Sequence, residues 1–542
     1  MAETTATTPA AGVIRAALDL RDFPAASAFS RAYAHTYDAV SPLFAGNPAD
    51  PSAWRAAIRR VNAAPRDRAP ITRVIEAQLI RRDAPAEARA MAARLADPAA
   101  VTIVTGQQAG AFGGPLYTLL KAITTLQLAR EIEAHHGVPV VPIFWADGED
   151  HDWQEIRSTT VIGADETVTA VTMPAFEGAG VRRSGDIVLD DRIAATIDAL
   201  FAAMPETAFS AGLRAAIARC YVPGRSMAEA YARFIEHLLG RHGLVVFESA
   251  DPAAKPLAAD LFAEELRHPG RSSALAIAAG ERSRALGFAP QVVPVEGSAA
   301  LFSLTPAREA IRVPFDSDAL AADALAHPDR FSPNVLLRPV VQDWMFPNVA
   351  YVAGPGELAY HGQLEEIYKA FRVPRPLVYP RASASIMDSA SLRFLDKQQM
   401  QFATLARPDE SALNALLESR LPEAARSSLV DASEAIRDRW NALVTELPKI
   451  DPTLERAARA SLARLQHELD TLQWKTVRAV KRREHDLRRQ FNHARQLAFP
   501  GGAPQERVLG IAHFANQYGP ALVDKLVADL PTSPGRHWVV AI

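Results

Sequence analysis

Three observations predict an α/β fold, a parallel sheet covered by helices, with a long helical hairpin after it. The β-branched run Val101-Thr-Ile-Val-Thr105 enters a Gly-rich turn, Gly106-Gln-Gln-Ala-Gly-Ala-Phe-Gly-Gly-Pro115, and a helical pattern and a second apolar run, Val138–Trp145, follow. That order makes a βαβ unit, from which parallel sheets are built. Two more short apolar runs, Leu244-Val-Val-Phe-Glu248 and Val349-Ala-Tyr-Val352, read as further strands of the same sheet. Beyond Pro380, apolar residues recur at spacings of three and four on both sides of Pro448-Lys-Ile-Asp-Pro452, the pattern of two antiparallel helices.

Residues 1–95 read as a tail and a helical preface. Met1–Gly12 is Thr- and Ala-rich, without the basic start or apolar run of a secretory signal. Ala26–Leu95 alternates Ala-rich, Arg-studded helical segments with breaks at Asn47-Pro48 and Asp50-Pro51. Residues 96–160 hold the βαβ unit. Pro115 suits a first helical position, Leu116, Leu119, Leu120 and Ile123 begin its apolar face, and His135-His136-Gly137 closes it. Pro139 and Pro142 sit awkwardly in the second strand, because proline donates nothing to a ladder.

Residues 161–240 read as an inserted segment, and 241–382 as the rest of the core with a further insertion. Residues 383–498 carry the hairpin, with Ile436, Trp440, Leu443 and Leu447 facing Leu462, Leu465, Leu469 and Leu472 and a slip of the seam near Trp474–Val477. Residues 499–542 form a tail expected to pack on the core.

The 542 residues suffice for three or four units at roughly 150 each. An apolar fraction of 49% with 22% charged excludes a disordered chain. Cys220 is the one cysteine, so no disulfide framework or Cys metal cluster forms, and its Ala-rich helical setting reads as core. The net charge of −3 argues against a uniformly basic nucleic-acid coat. Val138–Ala146 is too short for the roughly 20 residues of a membrane span, so a cytoplasmic protein is expected.

Several segments could carry chemistry. The turn with Gly106, Gly110, Gly113 and Gly114 could let a backbone approach an anion, with Thr105, Gln107 and Gln108 at the strand end, or could simply close a corner. Its spacing matches neither the dinucleotide fingerprint nor the P-loop. Asp147-Gly-Glu-Asp-His-Asp152 crowds carboxylates around an imidazole, which suits a general base as well as a solvated turn with a helix cap. Gly354-Pro-Gly-Glu-Leu-Ala-Tyr-His-Gly-Gln363 places Glu357, Tyr360 and Gln363 after a strand, while His361 alone reads more as a packed histidine. Arg338 and Arg381 lie in proline-bounded apolar runs, where a guanidinium needs a carboxylate or phosphate partner or an internal salt bridge. The helical stretch Trp474–Arg495 carries eight Lys or Arg, an RNA-binding face or a solvated coiled-coil face.

Three phrases together resemble one family: Val104–Thr118 with Lys121, Phe144-Trp-Ala-Asp-Gly-Glu-Asp-His-Asp152, and Gly354-Pro-Gly-Glu-Leu-Ala-Tyr360. With Ser332–Arg338, Pro380-Arg381, the hairpin and Pro504-Gln-Glu-Arg507, the sequence is similar over nearly its whole length to the bacillithiol biosynthesis cysteine-adding enzyme family. It departs at His361, Pro504 and Gly510, where the family has an aromatic, a Leu and an Asn.

The resemblance implies a Rossmann-like core resembling class I aminoacyl-tRNA synthetases, with inserted connecting segments and a C-terminal coiled coil that pairs two subunits. It implies a ligase joining the carboxyl of cysteine to the amine of glucosaminyl malate. On that reading Asp150 and His151, with Glu149 and Asp152, form the catalytic turn. Thr105, Gly106, Gln107, Gln108, Gly113, Gly114, Lys121, Arg338, Gly354, Pro355, Gly356, Glu357, Tyr360, Gln363 and Arg381 bind substrate, with Arg338 or Lys121 on a malate carboxylate. Gln505, Glu506 and Arg507 mark a second, nucleotide site between core and coiled coil. Amide formation is uphill in water, which admits ATP or ADP and leaves a Mg2+ requirement open, while no metal ligand set stands out. The synthetase phrases H-I-G-H and K-M-S-K-S are lacking. An RNA- or tRNA-binding protein, gripping through the basic helix, and a purely structural dimer are the alternative readings.

Overall fold

Val101–Gln108 (β1), Val140–Asp147 (β2), Val245–Glu248 (β3), Asn348–Ala353 (β4) and Leu377–Pro380 (β5) form one sheet in the order β5-β4-β1-β2-β3, all parallel. Every residue of β4 is buried, as in a parallel strand covered on both faces, and this is why the strands read as continuous apolar runs. The computed structural model describes residues 13–304, 309–312, 315–407, 409–420 and 423–542; the tail Met1–Gly12 lies outside them. They divide into two compact units, 1–386 with 503–542, and 387–502.

In the first unit, β1 leads through a short turn into Leu116–His136 (α1), closed by Gly137 in the left-handed conformation, and then into β2. Pro142 is accommodated because pairing of β2 with β3 begins one residue later, at Ile143 opposite Val245. The helix Pro51–Ala63 buries Trp54, Ala57, Ile58 and Val61 against Val101, Ile103 and Val352, so part of the preface is a face of the core. The opposite face joins Val104, Val141, Trp145, Phe247 and Tyr351 to helices on both sides of the sheet's sequence.

The segment 161–240, read as an insertion, ends in Met227–Leu239 (α2), whose Tyr231 packs against Phe144 of β2. It is therefore the crossover helix into β3, and its inserted part is the antiparallel pair Ser158–Ile162 and Val168–Thr172 with the helices Arg192–Ala202 and Ser210–Cys220. Between β3 and β4 stand the helices Ala259–Arg267 and Arg271–Ala285, the sheet of Ser298–Ser303, Glu309–Arg312 and Phe331–Pro333, and Arg338–Met345 (α3). Pro355–His361 (α4) follows β4. The chain's last strand, Arg536–Ala541, lies between Ile14–Asp19 and Ser383–Met387, a small sheet with no local sequence signal. Among the described residues no helix is long and apolar enough to cross a membrane.

In the second unit, Glu423–Glu446 (α5) turns at Leu447–Lys449 into Leu454–Arg483 (α6), and Trp440 Nε1 donates to the Ala458 carbonyl across the pair (2.9 Å). The seam departs from the leucine pattern: Val444 is buried, whereas Leu443 and Leu472 are exposed. Trp474 is exposed, and the Val477 side chain lies outside the described residues. The basic stretch expected as one helix is broken at Glu484, where His485–Ala498 (α7) begins.

Candidate active site

The strand order reverses between β1 and β4, and open α/β sheets hold ligands at the carboxyl ends of the strands at such a switch point. A cleft of ≈ 850 Å³ opens there, lined by Gly106, Gln107 and Gln108 from β1, Asp147 from β2 and Gly354, Pro355, Gly356 and Glu357 after β4.

Lys121, on the second turn of α1, is 1% exposed at its side chain. Its ammonium donates to the Gly106 carbonyl, to Gln107 Oε1 (3.3 Å) and to Glu357 Oε2 (2.6 Å). An ammonium has three donors, so all of Lys121 is spent on the fold and none is left for a substrate carboxylate. Glu357 also accepts from Tyr351 Oη (2.6 Å) and the Gly354 amide (2.8 Å). Burial opposes its ionisation, but Lys121, Tyr351 and that amide hold its carboxyl below the usual range. Arg338, at the start of α3, donates to Tyr360 Oη (2.5 Å), lies 3.7 Å from Asp147 Oδ2 and sits over the Tyr351 ring. Burial raises the pKa of Asp147, with Arg338 opposing.

The acidic turn divides into distinct roles. Glu149 also lines the cleft, and it is buried between Arg183 (3.2 Å) and Lys255 (2.8 Å), which outweigh burial and hold it ionised as an ion-pair strut. Asp152 caps the short helix Trp153–Ile156 through the Glu155 amide (3.2 Å). The His151 imidazole is not among the cleft-lining groups, but its Nδ1 lies 3.4 Å from Asp150 Oδ1, and the amides of His151 and Asp152 donate to that oxygen at 2.7 and 3.2 Å. Asp150 does line the cleft, and Gln108 Nε2 bridges its carboxylate to that of Glu155. Burial raises the pKa of Glu155, and neighbouring Asp150 and Asp152 add to the rise.

Other expected site residues serve the scaffold. The Thr105 hydroxyl donates to the Val352 carbonyl (2.8 Å), tying β1 to β4. Gly113 and Gly114 have positive φ and lie off the cleft; a side chain at Gly113 would press on Phe234 of α2. The first amide of α1, Leu116, donates to the Leu509 carbonyl, so the tail takes that amide. Gln363 grips the cleft-lining loop at Gln291 and Val292 with three backbone hydrogen bonds of 2.8–2.9 Å. His361 is buried and stacks on Tyr351 (4.6 Å), an aromatic's place. A Cβ at Gly510 would collide with the Thr159 hydroxyl, so a side chain there would need Thr159 to turn away. Cys220 is buried, and burial pushes its thiol up to about 11.

The residues expected at a nucleotide site also part company. Gln505 is buried and exchanges two 2.7 Å bonds with the Ile386 backbone, and Glu506 pairs with Arg381 (2.7 Å). Arg381 and Arg507 both line the cleft at the switch point.

Residues 17–382 match the family described as bacillithiol biosynthesis BshC, N-terminal Rossmann-like domain, and residues 384–542 match bacillithiol biosynthesis BshC, C-terminal coiled-coil domain. The chain belongs to the BshC family. It is 32% identical over 522 residues to "Putative cysteine ligase BshC" of Salinibacter ruber, covering 94% of this chain and 95% of the relative. Proteins of the same name from Chlorobaculum tepidum (30% identical, 83% of this chain and 84% of the relative) and Geobacillus thermodenitrificans (33%, 83% and 86%) are similar along most of their length.

Tyr117, Asp147, Glu155 and Tyr351 also line the cleft, and Tyr351 anchors Glu357; the sequence phrases contain Tyr117 and Asp147 without giving either a role, and contain neither Glu155 nor Tyr351. Two of them had a signal. Asp147 is the first carboxylate past a strand, and Glu155 stands three residues after the capping Asp152, the spacing of a helix start. Tyr351 is hidden in the apolar run of β4, and Tyr117 in the first turn of α1, where nothing local distinguishes a cleft tyrosine from a core one.

Proposed function

We propose that the chain is a carbon–nitrogen ligase that joins the carboxyl of L-cysteine to the amine of glucosaminyl malate in the cleft at the switch point. The observation that carries this reading is the pairing of two chemistries in one cavity. Carboxylates of Asp147, Asp150 and Glu155 suit an amine, and guanidinium groups of Arg338 and Arg381 suit the malate carboxylates.

The attacking amine must be neutral, so its ammonium proton has to leave. Asp150 is oriented for that by two backbone amides and Gln108, and its partner Glu155, with a raised pKa, can hold the proton nearer neutral pH. The carbonyl carbon of cysteine then gains the nitrogen and loses an oxygen-bound leaving group. ATP would supply that leaving group by activating the carboxyl, and Arg507, exposed at the cleft with no hydrogen bond or ion pair to its side chain among the described residues, is suited to a phosphate. Pairing of two copies through the helical unit is supported by the exposed Leu472 and Trp474 on α6, and sedimentation should show a dimer.

Mass spectrometry of glucosaminyl malate incubated with cysteine, with and without ATP and magnesium, tests the reaction. A product heavier by one cysteinyl residue is expected. Asp150→Asn should lower turnover by about 10²- to 10⁴-fold with the fold intact. An active Asp150→Asn would remove the base, and absence of a cysteinyl product under every condition would remove the function.

A further inference from the structure

The Arg381 guanidinium has five N–H donors, and among the described residues the fold uses three of them. Nη1 donates to the Ala382 carbonyl (2.8 Å) and Glu506 Oε2 (3.1 Å), and Nη2 donates to Glu506 Oε1 (2.7 Å). What remains is the side edge, the Nε–H and the second Nη2–H, parallel donors at the spacing of a carboxylate's two oxygens. Arg381 is 8% exposed and yet lines the cleft. Its Nε faces Gly354, 3.8 Å from where a Cβ would stand, so the missing side chain keeps that edge open. The guanidinium also stacks over the Tyr117 ring, 5.7 Å from its centre.

Glu506 determines which edge is free. Glu506 is 4% exposed, and its carboxylate accepts from the Ala384 amide (3.0 Å) and from Ser383 Oγ (3.1 and 3.2 Å), while Ser383 in turn meets His537 Nδ1 (2.8 Å). The neighbouring Gln505 locks the same turn to Ile386. A carboxylate so held cannot rotate, and it consumes the end of the guanidinium, leaving only the side edge for a ligand.

We propose that the free edge of Arg381 is a bidentate subsite for a substrate carboxylate, and that Glu506 is the positioning residue that aims it. Resting on the ligase reading, that carboxylate belongs to the malyl group of the amine substrate. A buried, doubly bonded fork recognises a planar carboxylate; a phosphate is the other oxyanion source that the test separates.

Equilibrium titrations of the full chain with L-malate and, separately, with inorganic phosphate compare wild type with Arg381→Gln and Glu506→Gln. Malate affinity should fall about 10- to 100-fold in Arg381→Gln, as expected for loss of two charge-assisted hydrogen bonds, and about 3- to 10-fold in Glu506→Gln, with phosphate unaffected. If a lone buried charge prevents either single variant from folding, the pair Arg381→Gln/Glu506→Gln removes both and should match Arg381→Gln. In turnover, Glu506→Gln should raise KM for glucosaminyl malate by the same factor while kcat and KM for cysteine hold.

Unchanged malate affinity in Arg381→Gln, dependence of phosphate instead of malate on Arg381, or a fall in kcat without a change in KM in Glu506→Gln would each overturn the proposal. Wild-type malate binding through Arg381 with no cysteinyl product under any condition would remove the ligase reading and leave the subsite standing.

Discussion

Replacing Glu357 by Gln keeps the shape of the cleft and deletes one charge, leaving the Lys121 ammonium buried without its carboxylate. Breaking a buried pair costs about 3–5 kcal/mol, because the surviving charge keeps its desolvation penalty. Two facts reduce that figure here. Lys121 retains the Gly106 carbonyl and Gln107 Oε1, and the Glu357 side chain is 22% exposed to the cleft. A loss of about 2–3 kcal/mol is the outcome expected for Glu357→Gln. The loss should also depend on pH. Burial already lowers the pKa of Lys121, and without Glu357 it falls further, so the folded chain binds fewer protons than the unfolded one. Stability of the variant therefore rises with pH toward the unfolded lysine's range, near 10, and its deficit against wild type shrinks. Urea unfolding followed by tryptophan fluorescence at pH 7.5 and 9.5 measures both effects. The double variant Lys121→Met/Glu357→Gln, which removes the stranded ammonium, should recover most of the loss. A deficit below about 1 kcal/mol, or a double variant no better than the single, would refute the assignment of Lys121 to the scaffold.

Glu149→Gln should lower stability by about 3–5 kcal/mol, since Arg183 and Lys255 are both buried around it, while turnover falls only with the folded fraction; a stable but inactive variant would return Glu149 to the chemistry. Burial pushes the imidazoles of His513 and His537 down to about 4, so the unfolded chain takes up protons first as pH falls through 6.5 and stability is lost toward pH 4. Asp343, pushed up to about 6 by burial, works in the opposite sense below pH 6. These three groups together contribute a net loss of about 2 kcal/mol between pH 7.5 and 5.5, and the buried His361, held well below its ordinary value by burial, adds to it; a flat urea-unfolding profile would contradict this. Cys220 should resist iodoacetamide at pH 7.5 in the folded chain and react on unfolding; mass spectrometry of the native protein showing rapid alkylation would overturn its placement in the core.

Much of the fold was legible because its signals are local. A strand buried on both faces must be apolar throughout, so β1, β2, β3 and β4 announced themselves as Val-rich runs. The helical hairpin was legible as a pair, but its seam was not: Leu443 and Val444 are adjacent and both apolar, and periodicity alone does not choose between them. Ile14–Asp19 escaped notice since its pairing partner, Arg536–Ala541, lies at the other end of the chain.

The candidate site was legible as phrases and not as roles. The turn 147–152 was visible as crowded charge, yet Glu149, Asp150 and Asp152 became a strut, a cleft carboxylate and a helix cap according to what other segments brought to each.

What the sequence determined by itself are properties carried by neighbours along the chain: the apolar runs, the glycine turns, the helical periods and the family phrases. Tertiary structure alone decided which charges remain available. Lys121 is consumed by residues from β1 and α4, and Arg381 keeps one edge open because Glu506, 125 residues away, takes the other. The physical reason is that a buried ionic group must be satisfied wherever its partner comes from, and hydrogen-bond valence is a sum over contacts in space that no window of sequence contains.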